Sequence, residues 1–166
     1  MKTELKNQLL ILLTLILLNL NQVGAIELHV DAELGNDQNQ GLTWQTAFQS
    51  IGAALETSPQ PEDKILVAAG IYAEEVILSD GINIIGGFPT GGGVADPNAN
   101  ETIIDGENLR RCVLGAENAL LDGFTLINGF GRNGGAILHN DISMVVNQCI
   151  IRNCIATGGT PYGGGG

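Results

Sequence analysis

From Lys64 onward, short apolar runs alternate with glycine-rich corners along this chain: ILVAAGIY, EVILSDGINIIGGF, TIIDG, CVLG, LLDGFTLING, AILHN and MVVNQCIIRNC. Runs of this length, bounded by Gly, Asn and Asp, predict strands and turns rather than helices. Upstream, Ile26, Leu28 and Val30 alternate as in a strand with one buried face. The stretch rich in Gly, Asn, Asp and Gln that follows predicts a loop. Trp44, Phe48, Ile51 and Leu55 then recur at helical spacing, with Thr43 placed to cap the first turn and Pro59 and Pro61 placed to end the pattern. The expectation is one amphipathic helix from Trp44 to Leu55.

Some of the strands repeat one another. Laying Leu121 to Asn128 over Val146 to Asn153 keeps most of the chemical pattern at an offset of 25 residues, a spacing suited to one stacked unit per repeat. Alternation puts Phe124, Leu126 and Asn128 on one face, matched by Cys149, Ile151 and Asn153, and puts Thr125, Ile127, Ile150 and Arg152 on the other. Asp80 to Gly87 fits the same template, with Ile82 and Ile84 inward. Parallel, in-register stacking gives every strand backbone partners above and below, so a chain with only 4% aromatic residues still encloses a continuous aliphatic core. Such a stack needs a cap at each end. The helix is the candidate for the first. At the other end the glycine run Gly163 to Gly166 resembles Gly134-Gly135 before the strand Ala136 to His139, so the next strand is expected beyond it and the chain reads as a fragment.

The first residues change the picture of compartment. Lys2 and Lys6 precede an apolar run from Leu9 to Leu18, and Val23-Gly24-Ala25 supplies small residues for a peptidase. This predicts a cleaved export signal over residues 1–25. The run is shorter than the about 20 residues that cross a bilayer, and no membrane span is expected after cleavage. Loss of Lys2, Glu4 and Lys6 leaves 17 acidic and 5 basic side chains. An excess of that sign argues against nucleic acid as a partner and repels polyuronates unless a cation such as Ca²⁺ bridges the two. Cys112, Cys149 and Cys154 are an odd number and too few for a disulfide framework, so buried thiols are expected.

In the order of its blocks, VDAELGNDQNQGLTWQTAFQSIGAAL, DKILVAAGIYAEEVILSDGINIIGGF, ETIIDG and LLDGFTLINGFGRNGGAI, the chain resembles the N-terminal part of secreted bacterial proteins with right-handed parallel β-helix repeats. These include pectate-lyase-like proteins and polymorphic outer-membrane-protein-like adhesins. The resemblance implies an all-β, right-handed parallel β-helix, a solenoid with an N-terminal capping helix, truncated at the C-terminus. Its parts would be the signal peptide (1–25), a strand, loop and capping helix (26–63) and the first coils (64–166). Because one fold serves many roles, it implies function only broadly: an extracellular or cell-surface module that binds carbohydrate or a cell-surface ligand, with no catalysis in this segment. The alternatives are the N-terminal part of a Ca²⁺-dependent polysaccharide lyase, with its catalytic residues beyond this segment, and an adhesin passenger domain.

A lyase needs a Lys or Arg base and a Ca²⁺ that acidifies the proton α to a uronate carboxylate. Lys64, Arg110, Arg111 and Arg152 are the cations to consider, with the adjacent Arg110 and Arg111 expected on opposite faces, and each reads first as solvated surface. Asp31, Glu33, Asp37 and Asn39 superficially suggest a Ca²⁺ loop. However, a twelve-residue loop begun at Asp31 ends on Leu42 and one begun at Asp37 ends on Phe48, so neither has the bidentate Glu. Asn128 and Asn153 are expected to stack as hydrogen-bonded amides. Asp105 with Glu107, and Asp80 or Asp122 before Gly, read as turn residues before they read as paired acids. His29 and His139 lack zinc-motif spacing, and Gly91-Gly92-Gly93 lacks the Lys of a phosphate loop. Asn100-Glu101-Thr102 is a formal glycosylation sequon. The longest polar insertions, Gly86 to Asn100 and Gly129 to Gly135, are the candidate functional loops. No catalytic, cofactor-binding or metal-binding residue is assigned.

Overall fold

A computed structural model describes residues 24–139 and 141–158. The expected signal peptide, apart from Gly24 and Ala25, and the C-terminal glycine run lie outside the described residues. The described chain is mostly β. Its strands are β1 (Glu27–Val30), β2 (Lys64–Ala68), β3 (Gly70–Tyr72), β4 (Val76–Ile77), β5 (Asn83–Phe88), β6 (Thr102–Asp105) and β7 (Val113–Leu114). They continue with β8 (Leu120–Asp122), β9 (Phe124–Ile127), β10 (Phe130–Arg132), β11 (Ile137–Leu138), β12 (Val145–Asn147), β13 (Ile150–Arg152) and β14 (Ile155–Thr157).

Four open sheets result, in the orders β1-β2-β5-β8-β12, β3-β6-β9-β13, β4-β7-β11 and β10-β14, and none closes on itself. Every strand pairing is parallel. Successive strands move from the first sheet to the second and then to the third as β2-β3-β4 and β5-β6-β7, and later the fourth sheet follows the second as β8-β9-β10 and β12-β13-β14.

Parallel strands in register put like residues above like, and three inward columns of aliphatic side chains follow. The first sheet contributes Leu28, Ile65, Ile84, Leu121 and Val146. The second contributes Tyr72, Ile104, Leu126 and Ile151, and the third Val76, Val113 and Ile137. All are buried until the last strands, where Val146 and Ile151 are 43% and 47% exposed. Leu121 pairs with Val146, Leu126 with Ile151 and Phe130 with Ile155, each pair 25 residues apart, which is the offset expected from the sequence. Elsewhere the offset varies: Ile65 pairs with Ile84, 19 residues on, and Ile84 with Leu121, 37 residues on. The surplus chain leaves at corners while the columns stay aligned.

The third copy of the template is displaced. Ile82 and Ile84 are buried as expected, but Ile84 lies over Leu121 in the first sheet and not over Leu126 in the second. Asp80-Gly81 and Asp122-Gly123 mark different corners, with Gly81 and Gly123 both left-handed at φ 70° and 76°. An Asp-Gly pair encodes a sharp turn without saying which turn.

The expected single helix from Trp44 to Leu55 is two pieces. Trp44–Thr46 form one 3-10 turn, Ala47 is extended, and α1 (Ile51–Glu56) begins only after Ser50, whose hydroxyl accepts the Ala53 N–H at 3.1 Å. Thr43 does begin the first piece, its N–H donating to the Thr46 hydroxyl at 3.2 Å. The edge of β1 breaks the pattern. Phe48 bridges Val30 in parallel, donating to the His29 carbonyl at 2.9 Å and accepting from the Asp31 N–H at 2.8 Å, while the Gly41 carbonyl accepts the His29 N–H at 2.7 Å. Buried backbone groups must be paired, and satisfying this edge outweighs two turns of a short helix. Ile51 and Ala54 of α1 still reach the core that holds Leu28 and Val30.

Thr125, expected on the outer face, is nonetheless buried: its hydroxyl donates to Glu101 Oε1 at 3.0 Å, and Arg152 closes over the same oxygen at 2.7 Å. The expected inward stack of amides does not form. Asn128 and Asn153 are left-handed corner residues at φ 52° and 56°, the Asn128 amide donating to Asp105 Oδ1 at 3.0 Å and Asn153 being exposed. A short polar side chain tolerates that backbone, which turns it out of the strand alternation. The insertion Gly129 to Gly135, expected as a loop, contains β10.

Candidate functional site

A cleft of about 1100 Å³ lies between the loop after β1, the start of α1 and the segment following β3. Asp37, Asn39, Gln40, Gln49, Ile71 and Glu74 are among its lining residues.

Two acids fix its walls. Asp37 Oδ1 accepts the backbone N–H groups of Gln49 and Ser50 at 2.7 and 2.8 Å, and its Oδ2 accepts the Ser50 hydroxyl at 3.0 Å. Glu74 takes the first two N–H groups of α1, Ile51 at 2.9 Å and Gly52 at 2.8 Å. Those donors have no partner within a helix, so the carboxylate completes the turn from outside. Burial pushes the Glu74 carboxyl above its ordinary value; the two N–H bonds oppose that shift and the negative charge of Asp37 adds to it. Tyr72 forms the floor, its hydroxyl donating to the Ala68 carbonyl at 3.0 Å and accepting the Ala32 N–H at 3.1 Å. Burial holds this phenol well above the usual range.

The exposed groups of the cleft include two amides, an acid and an apolar side chain, with the Gln49 amide also donating to the Ala32 carbonyl at 3.5 Å. Gln40, Gln49 and Glu56 are exposed, and Ile71 at its margin is 63% exposed. Hydrogen-bonding groups beside an apolar surface suit a ligand that is itself amphipathic and uncharged. Neither Gln40 nor Glu74 stands out in the sequence. The pairing of a loop near residue 40 with a strand near residue 72 is a tertiary fact that no local pattern carries.

The residues weighed from the sequence take other places. Asp31 is fully buried, its Oδ1 accepting from the N–H groups of Glu33 and Leu34 at 3.0 and 3.1 Å and its Oδ2 from Gly91 at 2.8 Å. The triple glycine thus has a structural use: Gly91 meets Asp31, and Gly92 lies flat beneath Trp44, where a Cβ would sit 2.2 Å from Cδ1. His29 is buried against Trp44, ring centroids 4.8 Å apart, with Nδ1 at 3.0 Å from the Gly41 carbonyl, while His139 is exposed.

Each candidate cation is ion-paired. Lys64 meets Glu27 at 3.3 Å, Arg111 meets Glu75 at 2.9 Å and Arg152 meets Glu101 at 2.7 Å. Arg110 pairs with Glu107 and donates to the Ala73 carbonyl at 2.8 Å. Arg110 and Arg111 therefore converge on the connection between β3 and β4 rather than pointing to opposite faces. Asp105 caps its own turn through the Glu107 N–H at 2.8 Å, Asp80 accepts the Glu117 N–H at 3.0 Å, and Asp122 accepts the Asn147 amide at 3.0 Å. Among the described residues, no group of three or more His, Cys, Asp or Glu side chains is placed to hold a metal ion, and no helix is long and apolar enough to cross a membrane.

Comparison with protein-family models, with curated proteins and with solved structures finds no match.

Proposed function

We propose that this chain is an exported, right-handed parallel β-helix module that binds neutral polysaccharide in the cleft between the loop after β1 and the end of β3. The solenoid reading is supported by the recurring order of sheets and the three inward columns, which are how parallel coils share a core. In this reading α1 and the Phe48 bridge close the first coil.

The observation that carries the binding reading is the amphipathic cleft, which Gln40, Gln49 and the exposed Ile71 line together. Sugar rings present hydroxyls at the rim and C–H groups on the face, and such a wall matches both. The acidic balance, with 18 Asp and Glu against 7 Lys and Arg, disfavours anionic chains in the absence of a bridging cation. Every cation weighed for base catalysis is held by a carboxylate, which favours binding over catalysis in this segment.

Affinity electrophoresis of the full chain in gels containing galactomannan, polygalacturonate or alginate, with and without Ca²⁺, tests the reading. Retardation is expected in the neutral gel, and Gln40→Ala together with Ile71→Ser should abolish it while leaving the melting midpoint in place. Equal mobility in every gel rejects carbohydrate binding. Ultraviolet-absorbing unsaturated products from either uronan, dependent on Ca²⁺, would replace the reading with that of a lyase.

A further inference from the structure

We infer that Cys112 and Cys154 join as a disulfide across Gly129, fastening the segment after β13 to the one before β7. The two thiols approach the same glycine. Gly129 donates its N–H to Cys154 Sγ at 3.3 Å, and a Cβ on Gly129 would lie 2.9 Å from Cys112 Sγ. Cys154 directly precedes Ile155, which pairs with Phe130, so it stacks on Gly129 in the parallel register. Both cysteines are free thiols in this structure, and both sulfurs lie against Gly129, whose lack of a side chain lets Cys112 approach.

Cys112 is fully buried, and burial first and the neighbouring Cys154 thiol second push its thiol up to about 12. Besides the Gly129 N–H on Cys154, the two sulfurs make weak contacts with carbonyls, Cys112 with Ile127 at 3.3 Å and Cys154 with Arg152 and Leu126 at 3.4 and 3.8 Å. Cys149 is the odd one of the three. Its sulfur turns to the Asn147 and Leu121 carbonyls at 3.2 and 3.6 Å, and its thiol is raised by burial with no contribution from another cysteine. The odd count is then one pair and one half-buried thiol.

Chemically, the half-buried Cys154 reacts first. Its thiolate attacks a low-molecular-weight disulfide such as oxidised glutathione, forming a mixed disulfide and releasing one thiol. Cys112, deprotonated, then displaces the second thiol and forms the Sγ–Sγ bond, of about 2.05 Å. Two protons leave the protein thiols and two electrons pass to the oxidant, which ends as two thiols. The high Cys112 value makes this second step slow at neutral pH and faster in alkali. The inference is independent of the cleft and its ligand.

The full chain, incubated with oxidised glutathione, denatured, alkylated with iodoacetamide and digested, should carry one alkylated cysteine, Cys149, and a cross-linked peptide pair containing Cys112 and Cys154. Cys149→Ser should keep that pair, and Cys154→Ser should lose it. Reduction should lower the melting midpoint by on the order of 10 °C, as expected for opening a loop of about 40 residues. Three alkylated cysteines after oxidation, or a cross-link that includes Cys149, would overturn the assignment; both are read on the wild-type chain and need no variant to fold.

Discussion

Asp31 is the clearest place to test how the segment after β1 is held. Its carboxylate is fully buried and takes three backbone N–H bonds, two on Oδ1 from its own turn and one on Oδ2 from Gly91. A hydrogen bond to a charged group contributes about 1.5–3 kcal/mol net, so three give about 5 kcal/mol at the low end. Removing a buried carboxylate also removes its desolvation penalty, which offsets part of that sum. Asp31→Ala is expected to destabilise by about 2–4 kcal/mol, which with an m-value of about 1.5 kcal/mol/M moves a urea midpoint down by roughly 2 M. Asp31→Asn keeps an acceptor for Glu33 and Leu34 but sets an amide N–H against the Gly91 N–H, so about 1–2 kcal/mol is expected. Trp44, the one tryptophan, packs on His29 and Phe88 and reports unfolding of this region by fluorescence. An asparagine variant as damaged as the alanine variant, or both within about 0.5 kcal/mol of wild type, would refute the reasoning, since the three bonds would then be doing little.

Leu126→Ala removes a fully buried side chain from the second-sheet column and should cost about 3–4 kcal/mol in the same denaturation. Gly92→Ala puts a Cβ 2.2 Å from Trp44 Cδ1 at a backbone φ of 97°; a red-shifted tryptophan spectrum and a loss of about 1–3 kcal/mol are expected. For Glu74 the sign follows from its raised folded value. Between the ordinary 4.5 and that value the folded chain keeps a proton the unfolded chain has lost, so its stabilising contribution is complete below 4.5 and fades as pH rises through the raised value. Urea midpoints measured from about pH 4 to pH 7 should show this decline in wild type, and Glu74→Gln should flatten it.

Much of the architecture is legible in the sequence where one residue pattern has one physical solution. The 25-residue offset from Leu121 to Val146 is such a case, because inward aliphatics in parallel strands must sit above one another. The helix over Trp44 to Leu55 is the opposite case: Phe48 has the spacing of a helix, yet the unpaired edge of β1 takes its backbone. Asp80-Gly81 resembles Asp122-Gly123 closely enough to misplace a whole strand by one sheet, since turn chemistry is the same at every corner. The cleft was out of reach because its walls are far apart in sequence and its acids are ordinary until Asp37 and Glu74 are seen to bind backbone N–H groups. The approach of Cys112 and Cys154 to one residue is hidden for a related reason, that residue being a glycine.

Pairing intervals of 19, 37 and 25 residues feed one unbroken column from Ile65 through Ile84 and Leu121 to Val146. Spacing along the chain and spacing through the core are therefore decoupled. Sequence grafted at a corner clear of the Gly91 and Gly92 contacts, for example beside Val94, which is 87% exposed, is expected to lengthen the excursion while the columns stay aligned, which suits this architecture to carrying foreign peptides of varied length.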